Sequence, residues 1–167
     1  NDTAYVNKFK RRKLNSSNAK EFILKNFKDK EIIMFNEGHD RPQTRAFVVS
    51  ILEDLKNAGV KCLAMETLSE RGNFKELDGT TGFYTQEPMS GEVVREGLRL
   101  GFKLIAYEDV NLYTTVKRKN LPDTFISKPH TLNQRDSAQA RNLYDRIKTK
   151  SGIEKTVVLA GYGHICQ

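Results

Sequence analysis

The chain has 167 residues, with 28 Lys or Arg against 21 Asp or Glu and a net charge of +7. That length suits one domain burying roughly two-thirds of its unfolded surface, so a core needs no metal or disulfide staples. No apolar run approaches the ~20 residues of a membrane-spanning helix. No Gly-Lys phosphate loop, zinc-finger spacing or RNA-binding aromatic signature accompanies the positive charge.

Residues 1–16 are polar and basic without a clear period, and Lys8-Phe9-Lys10-Arg11-Arg12-Lys13 holds much of the charge. They read as a flexible N-terminal segment preceding a single α/β domain over 17–167. A helix is expected from Asn18, whose side chain can cap it, with Glu21 completing a capping box. Phe22, Ile23 and Phe27 would share its apolar side. Glu31-Ile32-Ile33-Met34-Phe35 reads as a strand. Asp40 or Arg41 is expected to cap the next helix, with Pro42 in its first turn. Phe47, Val48, Ile51, Leu52 and Leu55 give that helix one apolar stripe, and Gly59 ends it. A strand over 61–65 then closes a βαβ unit, expected to be right-handed.

Residues 67–90 show no period, which in a compact domain points to a functional loop or to partial disorder. Phe74, Phe83 and Tyr84 in it would either wall a pocket or pin the loop. Ser90 is expected to cap a short helix carrying Val93, Val94 and Leu98 and closed by Gly101. Lys103–Tyr107 reads as a third strand, ending in Glu108 and Asp109. A polar stretch over 110–133 contains Lys117-Arg118-Lys119 and His130, the latter read as a surface loop residue. A helix over about 134–149 places Ala140, Leu143, Tyr144 and Ile147 on one face, with Asn133 or Thr131 as cap. Gly152 breaks it before a strand over 155–160. The alternation predicts an open, mostly parallel sheet flanked by helices, with long loops at the carboxyl ends of the strands.

Polar clusters follow these strands. Asn36-Glu37-Gly38-His39-Asp40 follows the first, Glu66 the second, and Gly161-Tyr162-Gly163-His164 the last. Parallel strands share one carboxyl edge, the usual ligand crevice, so two histidines and several carboxylates should meet there. Glu37 and His39, two apart, can project to one side of extended backbone. An imidazole can take a proton from water while a carboxylate orients its ring. The same residue types could ligate a divalent metal, with His39, Glu66 and His164 as candidates, although no HExxH is present. Arg135 opens a helix, where the dipole disfavours a cation; pairing with a site carboxylate or a substrate anion would explain it. No Gly-x-Ser-x-Gly elbow supports a serine triad. Cys62 reads as a small core residue, and Cys166 forms no metal-type pair with it.

Taken in order, Glu37-Gly38-His39-Asp40, Glu66, the Arg135-Asp136-Ser137-Ala138-Gln139-Ala140-Arg141-Asn142 helix start and Gly161-Tyr162-Gly163-His164 resemble a known superfamily. It is the one uniting erythromycin esterases, ChaN-like haem-binding lipoproteins and the TraB/Tiki proteins. The likeness spans roughly residues 31–164, with Asn36 where the family usually has glycine and Gln139 where methionine is common. It implies a hydrolase acting on an ester, lactone or amide. His39 would be general base, Glu37 and Glu66 would orient it or bind water, and His164 and Arg135 would support an oxyanion or substrate anion. Tiki-like members imply a divalent metal on comparable residues, and ChaN-like members imply haem binding without catalysis. The haem-ligating tyrosine region has no match here. The family continues past the last histidine, so the end three residues after His164 reads as a compact variant or a shortened domain. The partner implied is a small-molecule substrate, and no specific nucleic-acid motif is present. A basic interaction module rests on the N-terminal charge alone. Compartment and oligomeric state stay open, export or lipid anchoring included.

Overall fold

A computed structural model describes residues 18–70, 72, 74–109, 113–116, 124–127 and 131–165. The segment 1–16, His130 and Cys166 lie outside the described residues. Helix α1 (Ala19–Asn26) starts where Asn18 Oδ1 accepts from the Glu21 amide at 3.2 Å. Phe27, in the short helical turn that follows, is buried with Ile23 and Leu24 against the core, whereas Phe22 points outward. The expected grouping of Phe22 with them is corrected.

Strand β1 (Ile32–Glu37) runs two residues further than its apolar run. Helix α2 (Gln43–Asn57) buries Val48, Ile51, Leu52 and Leu55, each contributing about 1.5–3 kcal/mol over an exposed position. Its N-cap is Pro42, with no side-chain cap; Asp40 is exposed and does not cap it. Gly59 follows in the left-handed conformation (φ +89°) that only glycine adopts without strain. Strand β2 (Cys62–Met65) is wholly buried. Helix α3 (Pro88–Arg99) begins earlier than expected, capped by Glu87, whose carboxylate accepts from the Met89 and Ser90 amides at 3.1 and 2.7 Å. Proline suits the first helical position, and Ser90 is instead buried inside the helix. Gly97 lets α3 press on the sheet, since a Cβ there would lie 2.8 Å from a Leu63 methyl.

Strand β3 (Lys103–Ala106) is followed by β4 (Tyr113–Val116) and β5 (Thr124–Ser127), an antiparallel pair inside the polar stretch that carried no strand signal. Helix α4 (Leu132–Ile147) is capped by Thr131 in a reciprocal capping box with Gln134. The short antiparallel strands β6 (Lys148–Thr149) and β7 (Gly152–Ile153) precede β8 (Thr156–Gly161), and a single helical turn, α5 (Tyr162–Ile165), closes the described chain.

β1, β8, β2 and β3 form a four-stranded, all-parallel sheet in that order. Side chains alternate between its faces. On one face Leu63, Met65, Leu104, Val157 and Leu159 pack under α1, α2 and α3. On the other, Cys62, Ala64, Ile105, Val158 and Ala160 pack against Leu143 and Ile147 of α4. The fold is therefore an α/β sandwich with its sheet flanked by helices on both sides. α4 leaves the β1 end uncovered, where Met34 is 48% exposed. Cys62 is a core thiol, pushed up to about 11 by burial and then by its hydrogen bond to Glu154, so it stays protonated and inert. No helix among the described residues is long and apolar enough to cross a membrane.

Candidate active site at the carboxyl edge of the sheet

Strand order decides which residues meet. β8, last in sequence, inserts between β1 and β2 and pairs Glu37 with Gly161 in register. The polar clusters after β1, β2, β3 and β8 thereby fall on one edge, and Glu37, His39, Glu66, His164 and Arg135 are brought together with Glu108 and Asp136.

On the β1 side, Glu37 is buried and its Oε1 lies 3.2 Å from His39 Nδ1. A carboxylate only accepts, so the bonded imidazole carries its proton on Nδ1 and leaves Nε2 open. Arg45, from the first turns of α2, is fully buried. Its Nη2 donates to the His39 carbonyl at 2.8 Å and fixes the turn that carries the ring. Its Nε stands 3.5 Å from Glu37 Oε2 and its Nη1 3.5 Å from Glu87 Oε2. Those two contacts are charge pairing without hydrogen-bond geometry, for neither nitrogen nor Glu37 Oε2 has a hydrogen-bond partner. The Tyr84 ring stacks on His39, with centroids 5.0 Å apart and planes 17° from parallel. The His39 pKa is raised above 6.5, chiefly by its hydrogen bond to Glu37 and then by the charges of Glu66 and Glu37, against desolvation and Arg45.

On the β2–β3 side, Glu66 Oε2 accepts from the Gly161 amide at 2.7 Å, and Oε1 accepts from Arg135 Nη2 at 2.6 Å. Arg135 Nε also reaches Glu108 Oε2 at 3.0 Å, and Gln139 Nε2 reaches the same oxygen at 3.2 Å. His164 on α5 lies between two carboxylates: Nδ1 is 2.5 Å from Asp136 Oδ1, and Nε2 is 3.3 Å from Glu66 Oε1. Below this layer Tyr107 donates to the Leu159 carbonyl at 2.8 Å. Its hydroxyl pKa is raised by burial and then by Glu66 and Glu108, which keeps it a donor.

The two sides meet at Gly161. A Cβ on it would lie 2.8 Å from His39 Nε2 and 2.9 Å from Glu66 Oε2, so both groups close over a backbone bare of a side chain. Glu37, Glu66, Glu108 and Asp136 put four carboxylates in this layer, and the guanidiniums of Arg45 and Arg135 are already paired with them. Arg135 therefore bridges Glu66 to Glu108, the pairing with a site carboxylate that its place at the helix start suggested.

As candidate metal ligands, His39, Glu66 and His164 do not converge. No group of three His, Cys, Asp or Glu side chains among the described residues is arranged to hold a metal ion. For axial haem ligation His39 has an open Nε2, whereas both ring nitrogens of His164 already face carboxylates.

The places of Arg45 and Asp136 at this edge were not expected from the sequence. Arg45 occupies the helical stripe of Val48, Leu52 and Leu55, and a lone cation in an apolar stripe was the available signal. Asp136 looked like an ordinary acid at a helix N-terminus.

No family model matches the chain. Endonuclease MutS2 of Clostridium beijerinckii is 30% identical over 139 residues, which are 80% of this chain and 17% of that protein. The chain thus spans a small part of that relative. Among solved structures, one described as "Bacterial protein toxins" superposes with a TM-score of 0.56 at 13% identity, covering 88% of this chain and 31% of the other. The type III effector HopBA1 superposes with a TM-score of 0.53 at 17% identity, covering 87% of this chain and 72% of the effector. At these identities the likeness to both is one of fold.

Proposed function

We propose that the chain is a hydrolase of an uncharged ester, lactone or amide, with His39 as general base. The observation that carries this reading is the state of the His39 ring. Nδ1 is held by Glu37, and Nε2 is left open beside Glu66 at the carboxyl edge of the sheet. A ring so held can take a proton from water through Nε2, and the Glu37 carboxylate stabilises the imidazolium that results. Glu66 stands on the far side of Gly161, fixed by a backbone amide and by Arg135. Arg135 donates to Glu66, and His164 Nε2 lies 3.3 Å from the same carboxylate oxygen, so both are positioning residues for that carboxylate.

The ordered motif set resembling erythromycin esterases supports the same chemistry. The likeness to an endonuclease raises phosphodiester hydrolysis as another possibility. The charge of the site disfavours it: a phosphodiester would meet four carboxylates and no unpaired guanidinium among the partners described. A neutral acyl group meets no such repulsion.

The test is turnover of phenyl acetate, a simple lactone and an anilide by wild type and His39→Ala. Loss of about 10²–10⁴-fold in the variant, with unchanged circular dichroism and melting, is expected. Equal rates in the two proteins would remove His39 as base.

A further inference from the structure

We propose that Phe83 and Tyr84 form an aromatic shelf that receives a planar, non-anionic group of the substrate beside His39. The inference rests on His39 being at the reacting centre and names the class of molecule bound there. Phe83, Tyr84 and His39 form a continuous series of rings. Phe83 meets Tyr84 edge-on at 4.9 Å and 88°, and Tyr84 lies nearly flat against the imidazole. The outermost ring serves no packing purpose: Phe83 is 82% exposed and Tyr84 39% exposed. Pinning of the loop falls instead to Phe74 and Leu77, which pack against the core, and to Leu68, which is buried. The two expected roles of the loop aromatics are thus divided between different residues.

The shelf is also held in place. The Phe83 amide donates to the Thr67 carbonyl at 3.1 Å, and the Glu87 amide to the Tyr84 carbonyl at 3.0 Å. Thr85 Oγ1 donates to the Gly82 carbonyl at 2.8 Å. Gly82 is pressed so closely on residue 67 that a Cβ would lie 2.2 Å from the Thr67 carbonyl oxygen. Glu87, at the end of the segment, pairs with buried Arg45, which in turn holds the His39 backbone. One cation therefore fixes the shelf and the imidazole relative to each other. A preformed surface loses little conformational freedom when a flat ring settles on it, and rings in contact favour offset or edge-on arrangements such as those already present. The sign of the ligand follows from the carboxylates behind His39, which oppose an anion.

The experiment is an NMR titration of the 167-residue chain carrying ¹⁵N-labelled histidine, following the His39 ring. Three probes separate ring from charge: benzamide, acetamide (the same amide without the ring) and benzoate (the same ring as an anion). Saturable His39 shifts with benzamide, absent with acetamide and at least several-fold weaker with benzoate, are expected. Tyr84→Ala and Phe83→Ala should each weaken benzamide by about 3- to 10-fold, the range of a ring–ring contact, while Tyr84→Phe retains it. Phe83 is exposed enough that its truncation leaves melting unchanged, which guards against misfolding as the cause. Equal binding of acetamide, tighter binding of benzoate, or indifference to both truncations would each overturn the shelf. Ring-selective binding without any turnover would preserve the shelf and remove the hydrolase; turnover without ring selectivity would do the reverse.

Discussion

Two histidines reach the same sheet edge in opposite circumstances. His39 lies on a turn after the outer strand, its side chain 32% exposed, with one nitrogen bonded to Glu37 and the other open. His164 lies on a helical turn after an inner strand, 9% exposed, with a carboxylate at each nitrogen. Both follow an apolar strand, and residue type alone gives them equal standing. Their surroundings separate them. An imidazole between two carboxylates has a structural partner facing each nitrogen, whereas one held by a single carboxylate keeps a nitrogen open to accept a proton.

The largest expected effect tests that separation directly. His39→Ala should remove turnover and leave the melting temperature near wild type, because a partly exposed ring on a turn supports little packing. His164→Ala should do the opposite. It strips a partner from Asp136 and from Glu66 and should cost about 1–3 kcal/mol of stability. Whatever turnover remains should keep the wild-type pH dependence. Chemical denaturation beside pH–rate profiles for both variants reads the two quantities. A His164 variant of normal stability and altered pH profile would break the comparison.

Arg45 is the next largest. Replacing it by Met leaves Glu37 buried with His39 as its remaining charged partner. Breaking a buried pair in this way costs about 3–5 kcal/mol, since an uncompensated charge stays behind. The loss should appear in urea as a lower midpoint with an unchanged slope. Arg45→Met together with Glu37→Gln should recover part of it, because the stranded charge is then gone.

How the sequence announced these features differs between the two sides. Short apolar runs ending in acid located the strands, because a buried parallel strand needs apolar side chains on both faces. Glu37, His39, Glu66 and His164 were legible because each belongs to a polar cluster that follows such a run. The insertion of β8 between β1 and β2 was not, since hydropathy carries no information on strand order. On α4 the apolar period misplaced the inner face. Ala140 and Tyr144 are exposed, while Gln139 is buried and Arg135, Asn142 and Arg146 turn partly inward. Those polar side chains find their partners in Glu108, the Tyr107 carbonyl, the Ala106 carbonyl and Glu70. A helix laid over a polar sheet edge buries hydrogen-bonding groups there, and a purely apolar template passes over them. Asp136 escaped for the related reason that its partner His164 is remote in sequence.

Gly161 connects the two sides and should give an intermediate effect. The Cβ of Gly161→Ala would crowd His39 Nε2 and Glu66 Oε2, both of them ends of side chains. These tips can swing aside where backbone could not, so a moderate cost of about 1–3 kcal/mol is expected. Turnover should fall further than stability, because both displaced groups line the reacting position. Melting curves beside rates test this. A fully active Gly161→Ala would mean that His39 and Glu66 need not approach each other for turnover.

The smallest effect is a shift along the pH axis. His39 can act as base only when neutral, so the rate should rise with pH through its raised pKa. The leading cause of the raise is the Glu37 hydrogen bond, and the charges of Glu66 and Glu37 come after it. Glu37→Gln can still accept from Nδ1 but carries no charge. The rate profile should therefore move to lower pH, with a plateau a few-fold below wild type because the imidazolium formed in the reaction is less stabilised. Stability follows the same linkage. A histidine whose folded pKa lies above its unfolded value contributes fully below about 6.5 and loses that contribution as pH rises through the folded value. Wild type should show this decline as pH rises above about 6.5, and Glu37→Gln should show less of it. If both profiles of the variant overlay those of wild type, Glu37 is not the group that sets the His39 proton, and the asymmetry between the two histidines needs another origin.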